Sequence, residues 1–156
     1  MSPKRKRRRA SMEAAEPQDS SWSPAEGMAQ FRQQQKIDRS FRSRYVEGLS
    51  FTPDHFQIQA MDALEAGHSV LVAAPTGAGK TVVGEFAVAL SLSTGSRAFY
   101  TTPIKALSNQ KFTDFQKRYG EARVGLLTGD TSINPDAPII VMTTEVLRNM
   151  IYMGAD

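Results

Sequence analysis

The chain has 156 residues, 40% of them apolar, no cysteine and a net charge of +3. That length suits one domain of ordinary size with some chain to spare, and the absence of cysteine excludes disulfides and thiolate zinc sites. There is no run of eighteen apolar residues for a membrane span, and the basic N-terminus has no apolar stretch behind it for a secretory signal, so a cytoplasmic protein is expected, or a nuclear one if the source is eukaryotic.

The charge is uneven. Lys4, Arg5, Lys6, Arg7, Arg8 and Arg9 carry +6 of the total of +3, which leaves −3 for the rest. Net charge alone therefore gives the folded part no attraction for nucleic acid. Residues 1–28 are rich in Ser, Pro, Ala, Glu, Arg and Lys and hold one aromatic residue, Trp22. Such a segment buries too little to offset its ordering entropy, and a disordered basic tail is expected. The basic run fits a solvated tail, a nucleic-acid-binding arm or a nuclear-import signal. Residues 29–50 form a polar lead-in, in which Ile37, Phe41 and Tyr45 share the four-residue spacing of one helical face.

From Phe51 the texture changes. Residues 56–66 read as a helix stopped by Gly67. Ser69–Ala74 is a short β-branched and apolar run, hence a buried strand. A helix over 80–92 follows, with an apolar face of Val83, Phe86, Ala87 and Leu90. Strands are expected at 97–101, 123–127 and 138–142, and helices at 105–119, closed by Gly120, and 145–152. Phe112 and Phe115 read as the core face of the first of these two helices. Strands alternating with helices imply a parallel sheet covered on both faces.

The strongest chemical signal is Ala74-Pro75-Thr76-Gly77-Ala78-Gly79-Lys80-Thr81. It follows an expected strand and opens an expected helix, which is the context of a phosphate-binding loop. Gly77 and Gly79 let the backbone turn tightly and bring its N–H groups to phosphate oxygens. The helix N-terminus adds partial positive charge. Lys80 is expected to reach the β- and γ-phosphates of ATP, and the Thr81 hydroxyl to ligate its Mg²⁺. Ala74 stands where the general pattern has glycine.

Other sites surround this loop. Gln57 lies 23 residues before Lys80, and its amide offers the donor and acceptor that match the adenine edge. Phe51 is the candidate to stack on the base. After the second strand comes Thr102-Pro103-Ile104-Lys105-Ala106-Leu107, where hydroxyls, a lysine and free helix N–H groups suit a phosphate backbone. After the third strand comes Thr128-Gly129-Asp130. After the fourth comes Thr143-Thr144-Glu145, with Thr144 a candidate helix cap.

In this order the motifs VLVAAPTGAGKT, TTPIKALSNQK, LTGD and MTTEVLRNM resemble those of superfamily 2 helicases. The resemblance is to the Ski2-like DExH branch, and within it to the actinobacterial HelY-type helicases, over residues 51–153. It implies a partial RecA-like α/β domain, 51–156, with a mostly parallel sheet. It makes Gln57 an adenine-sensing residue and 74–81 the ATP loop. Pro103, Lys105, Ala106, Leu107, Thr128, Gly129, Asp130, Thr143, Thr144 and Glu145 become contacts to an RNA or DNA backbone. All would lie at the carboxyl ends of strands, where ligands of open parallel sheets bind.

One part of the pattern is missing. Such a helicase needs an Asp-Glu pair for Mg²⁺ and for the attacking water, and this sequence contains no Asp-Glu dipeptide. Nor does it contain the Ser-Ala-Thr motif, or a second RecA-like domain with its arginine finger, whose loss costs on the order of 10³–10⁵ in rate. The sequence is expected to be truncated just before the acidic motif and to be inactive by itself. Two readings stay open beside the helicase: a nucleic-acid-binding module without turnover, and another phosphate-loop enzyme such as a kinase.

Overall fold

The computed structural model describes residues 25, 27–30, 32–33 and 40–154. The chain divides into two units, residues 1–36 and 37–156. In the first unit the described residues 25, 27–30, 32 and 33 are helical, spanning the expected border between tail and lead-in. Residues 1–24 and 26, and with them the basic run, lie outside the described residues, as do Phe31 and Ile37.

In the second unit the elements run α1 (Phe41–Glu47), α2 (His55–Glu65), α3 (Thr81–Ser93), β1 (Ala98–Thr102), α4 (Lys105–Tyr119), a 3₁₀ turn (Glu121–Arg123), β2 (Val124–Thr128), β3 (Thr131–Ile133), β4 (Ile139–Thr143) and α5 (Thr144–Met153). The four strands form one sheet in the order β1-β4-β2-β3. β1 and β2 each pair parallel with β4, and β3 pairs antiparallel with β2. No described helix is long and apolar enough to cross a membrane.

β4 (IIVMT) explains why the sheet has two covered faces. It is flanked on both sides, and its side chains alternate between the faces. Ile139 and Val141 join Val88, Ala98, Phe115, Val124 and Leu126 on one face, with Phe112 packed against them. Ile140 and Met142 join Ala137 on the other, under Val146 and Leu147 of α5. Phe112 and Phe115 thus form the expected core face of α4. α3 differs from its expected single stripe. Val88 faces the sheet, whereas Phe86 meets Phe41 and Tyr45 of α1, with ring centroids 5.6 and 5.2 Å away. α1 is further tied to α2, where the Glu65 carboxylate accepts from the Phe41 and Arg42 N–H groups at 2.7 and 3.1 Å. Two free N–H groups of a helix start are satisfied in this way.

Two expectations about strands need correction. The run Ser69–Ala74 forms no ladder, and Leu71 is 94% exposed. Its composition is that of a buried strand, but a strand exists only with a partner, and the described strands pair with one another instead. An open groove of about 400 Å³ lies along it, lined by Phe56, Ala60, Ala63, Val70 and Val72 among others. The second correction is an addition: β3, three residues long, was not expected. Its connection to β2 is the two-residue turn Gly129-Asp130, because Thr128 pairs with Thr131. Beside it, Gly125 admits no side chain. A Cβ there would sit 2.2 Å from the Asn134 carbonyl oxygen and 2.9 Å from that of Ile133.

Candidate functional site

The sheet's register gathers the strand-end residues. Thr102 of β1 is level with Thr143 of β4, and Leu127 of β2 with Met142, so Thr128 also falls level with Thr143. Three threonines from three parallel strands thus form one row at the carboxyl edge. The segments that follow them, 103–107, 129–130 and 144–145, leave the sheet from this row.

Side chains lock the row together. The Thr144 hydroxyl donates to the Thr102 carbonyl at 3.2 Å. This corrects its expected role: the N-cap of α5 is Thr143, and the Thr144 hydroxyl holds β1 instead. The Thr102 hydroxyl lies 2.6 Å from that of Ser108, which is wholly buried, and also donates to the Ile104 carbonyl at 3.0 Å. The turn from β1 into α4 is therefore fixed from inside, while Pro103, Lys105, Ala106 and Leu107 stay exposed outside. Gly129, Asp130, Thr144 and Glu145 are exposed, Thr143 is half-buried, and Thr128 is buried.

Lys105 and Asp130 meet across this edge. The Lys105 ammonium donates to Asp130 Oδ1 at 2.7 Å and Oδ2 at 2.5 Å, and the Thr128 hydroxyl donates to Oδ1 at 2.9 Å. The lysine's hydrogen bonds, then that of Thr128, hold the Asp130 carboxyl down at about 2. Behind the edge, Glu85 of α3 accepts from Lys111 at 2.8 Å and from Arg118 at 3.3 Å, both on α4. Burial draws the Lys111 ammonium down, but Glu85, Tyr100 and Asp114 together outweigh it and the net shift is upward. This ion cluster ties the helix that follows the loop 74–81 to the helix that opens on the strand edge.

The loop 74–81 is held by two side chains. Lys80 is turned back on it, and its ammonium donates to the Ala74 and Pro75 carbonyls at 2.5 and 2.7 Å. Gln57 is 3% exposed, and its Nε2 donates to the Ala78 and Gly79 carbonyls at 3.3 and 3.0 Å. Its Oε1 accepts from the Asp54 N–H at 2.9 Å, closing the N-terminus of α2. The whole Gln57 amide is thus engaged with backbone in this structure. Gly79 is required beside it: φ is +74°, and a Cβ would lie 2.6 Å from Gln57 Nε2. Pro75, Thr76, Gly77 and Thr81 are exposed, as is Phe51 at 47%. Among the described residues no group of three or more acidic or imidazole side chains could hold a metal. The exposed Thr81 hydroxyl offers one oxygen, the donor type that Mg²⁺ takes together with the oxygens of a triphosphate.

Residues 54–155 match the DEAD/DEAH box helicase family. The chain belongs to that family. It is 66% identical over 110 residues to the probable helicase HelY of Mycobacterium leprae, a match covering 70% of this chain and 12% of that protein. It is 55% identical over 106 residues to the antiviral helicase SKI2 of Saccharomyces cerevisiae, covering 68% of this chain and 8% of that one. The chain thus spans about an eighth or less of these relatives. The crystal structure of a hypothetical ATP-dependent RNA helicase from Sulfolobus tokodaii shares the fold. Its TM-score is 0.52 at 23% identity, over 78% of this chain and 37% of that one. As a helicase-family chain with a Ski2-like sequence, it has the RecA-like fold that its motifs led one to expect.

Sequence reasoning missed several features of this candidate site. Ser108 lies inside a quoted motif, but its complete burial against Thr102 follows from the turn into α4 and not from its residue type. Thr131 hangs on β3, which is too short to announce itself. The Lys105–Asp130 pair spans 25 residues and is created by the sheet's register.

Proposed function

We propose that this chain is the part of an ATP-driven helicase that binds the nucleotide and one strand of RNA or DNA. Loop 74–81 receives the triphosphate through its N–H groups and the N-terminus of α3. Lys80 exchanges its two carbonyl partners for the β- and γ-phosphates, and Thr81 contributes one oxygen to Mg²⁺. Phe51 stacks on the base. Gln57, already joined to the loop, reports the adenine edge when part of its amide is released. The strand's backbone runs along 103–107, 128–130 and 143–145. This proposal places the protein in the cytoplasm, where both ligands are found.

The observation that carries this reading is the level row Thr102–Thr143–Thr128, which brings three separate sequence motifs onto one edge of the sheet. Helices α3 and α4 run back against the parallel strands, which puts both of their N-termini toward that carboxyl edge, where ligands of such sheets bind. Nucleotide and strand contacts on one sheet edge give a geometry for coupling hydrolysis to movement. In helicases an Asp-Glu pair, which these 156 residues do not contain, and a second RecA-like domain supply the water-activating base and the arginine finger. We therefore expect weak nucleotide binding and no unwinding from the 156 residues alone.

Calorimetric titration with Mg–ATP tests the first half, comparing the chain with Lys80→Ala. The expected result is weak saturable binding that the substitution abolishes. A steady-state ATPase assay with added RNA or DNA tests the second. Robust strand-stimulated turnover by this chain would overturn the expected inactivity. Strand binding that survives Lys80→Ala while nucleotide has no effect on it would favour a binding module without turnover.

A further inference from the structure

The proposed strand-binding edge is poor in positive charge. Residues 103–107, 128–130 and 143–145 hold one cation, Lys105, and two acids, Asp130 and Glu145. The next cation of α4, Lys111, is turned to Glu85, and Arg148, one turn into α5, lies over the Tyr152 ring at 5.7 Å. Lys105 is also engaged, with both Asp130 carboxylate oxygens on its ammonium. The carboxylate is itself held from the strand side by the Thr128 hydroxyl and, at 3.4 Å, by that of Thr131.

A surface ion pair of this kind adds little to folding. Its effect on a ligand is different. Two oxygens with a shared negative charge, set on an ammonium, reproduce what a phosphodiester offers the same lysine. The pair is open to solvent: the side chains are 48% and 67% exposed, so a phosphate can reach it. A phosphate that arrives meets an ammonium already neutralised and a second anion beside it.

We propose that Asp130 is an internal stand-in for the strand phosphate: its carboxylate occupies Lys105, so that strand binding at this edge exchanges carboxylate for phosphate and is weaker than the lysine alone would make it. The inference rests on the strand-binding reading given above. It assigns Asp130, one of the expected strand contacts, the opposite sign: it sets affinity by competing with the backbone. The hairpin turn Gly129-Asp130 keeps the competitor in place, because β3 returns it to Lys105 through the Thr128–Thr131 pairing. A grip that exchanges in this way can be released and remade as a strand moves.

Fluorescence anisotropy of a labelled single-stranded oligonucleotide, in ribose and deoxyribose forms, tests it over a range of salt. The proteins are the full chain, Asp130→Asn, Lys105→Ala and the double substitution. Asp130→Asn is expected to bind about 3- to 10-fold tighter, and its slope of log affinity against log salt to steepen by about 0.7, the value for one more neutralised phosphate on a single strand. Lys105→Ala binds more weakly, and the double variant no tighter than Lys105→Ala. Thr128→Val, which loosens the carboxylate without removing it, moves affinity in the same direction by less and serves if Asp130→Asn does not fold. Unchanged or weaker binding by Asp130→Asn overturns the stand-in and leaves the strand-binding edge standing. So does a gain that persists without Lys105, because it would be a general charge effect. If none of the proteins binds either oligonucleotide, the strand-binding reading falls and this inference with it.

Discussion

The carboxyl edge of the sheet and the loop 74–81 belong to one folded unit, yet different forces hold them. At the edge, Thr102, Thr143 and Thr128 end three paired strands, and β4 behind them is buried from Ile139 to Met142. Its geometry is set by ladders and packing, and a ligand meets a surface already formed. The loop has no such support. The run before it, 69–74, joins no ladder, and the loop is held by the Gln57 amide and by its own Lys80. A surface built on paired strands keeps its shape whatever binds. A loop held by a few side-chain hydrogen bonds changes shape when a stronger partner appears, and Lys80 must leave two carbonyls before it can hold phosphate.

The contrast can be broken from either side. The largest effect is expected from Phe115→Ala. Phe115 is 1% exposed and lies under β1, β2 and β4 among Val88, Val124 and Ile139. Truncating a buried phenylalanine costs about 3–5 kcal/mol. Urea denaturation should show that loss, and the strand edge should fail with it.

Gln57→Ala should do the reverse. It deletes two bonds to the loop and one to the start of α2, worth about 1–3 kcal/mol if the freed groups stay buried. Hydrogen exchange should quicken at residues 76–80 and 54–57 while β4 amides keep their protection. Equal quickening throughout would mean that loop and sheet are one cooperative unit.

The smallest effect is one of pH, confined to the edge. The Asp130 carboxyl is depressed from 3.8 to about 2, first by the Lys105 hydrogen bonds and then by that of Thr128. A depressed carboxyl favours the folded pair above its ordinary value, and that contribution fades as pH falls through about 2. An NMR titration should find the Lys105–Asp130 pair intact at pH 4 and opening only near pH 2. A midpoint near 3.8 would show that the pair is not formed in solution.

How legible these regions were follows the same division. α4 was read at 105–119 to the residue, because apolar spacing and the Gly120 stop are local features. β1, β2 and β4 were each placed within one residue, since short β-branched runs between turns carry their own pattern. The reading failed where structure depends on a distant partner. Ser69–Ala74 has a strand's composition and no neighbour to pair with. Gln57 was expected to read adenine, but its amide is engaged by carbonyls 21 and 22 residues later. Thr144 was a plausible cap by position, but its hydroxyl reaches Thr102, 42 residues back. The phosphate loop's residue types were plain in the sequence, whereas the way Lys80 and Gln57 hold it was not.

Backbone amide chemical shifts, followed during separate additions of Mg–ATP and of a single-stranded oligonucleotide, test the central division of labour most directly. The account predicts that ATP moves the signals of residues 74–81 and Gln57, and that the strand moves those of 105–107, 128–130 and 143–145. Both ligands perturbing one set of residues, or neither reaching these two, would contradict it.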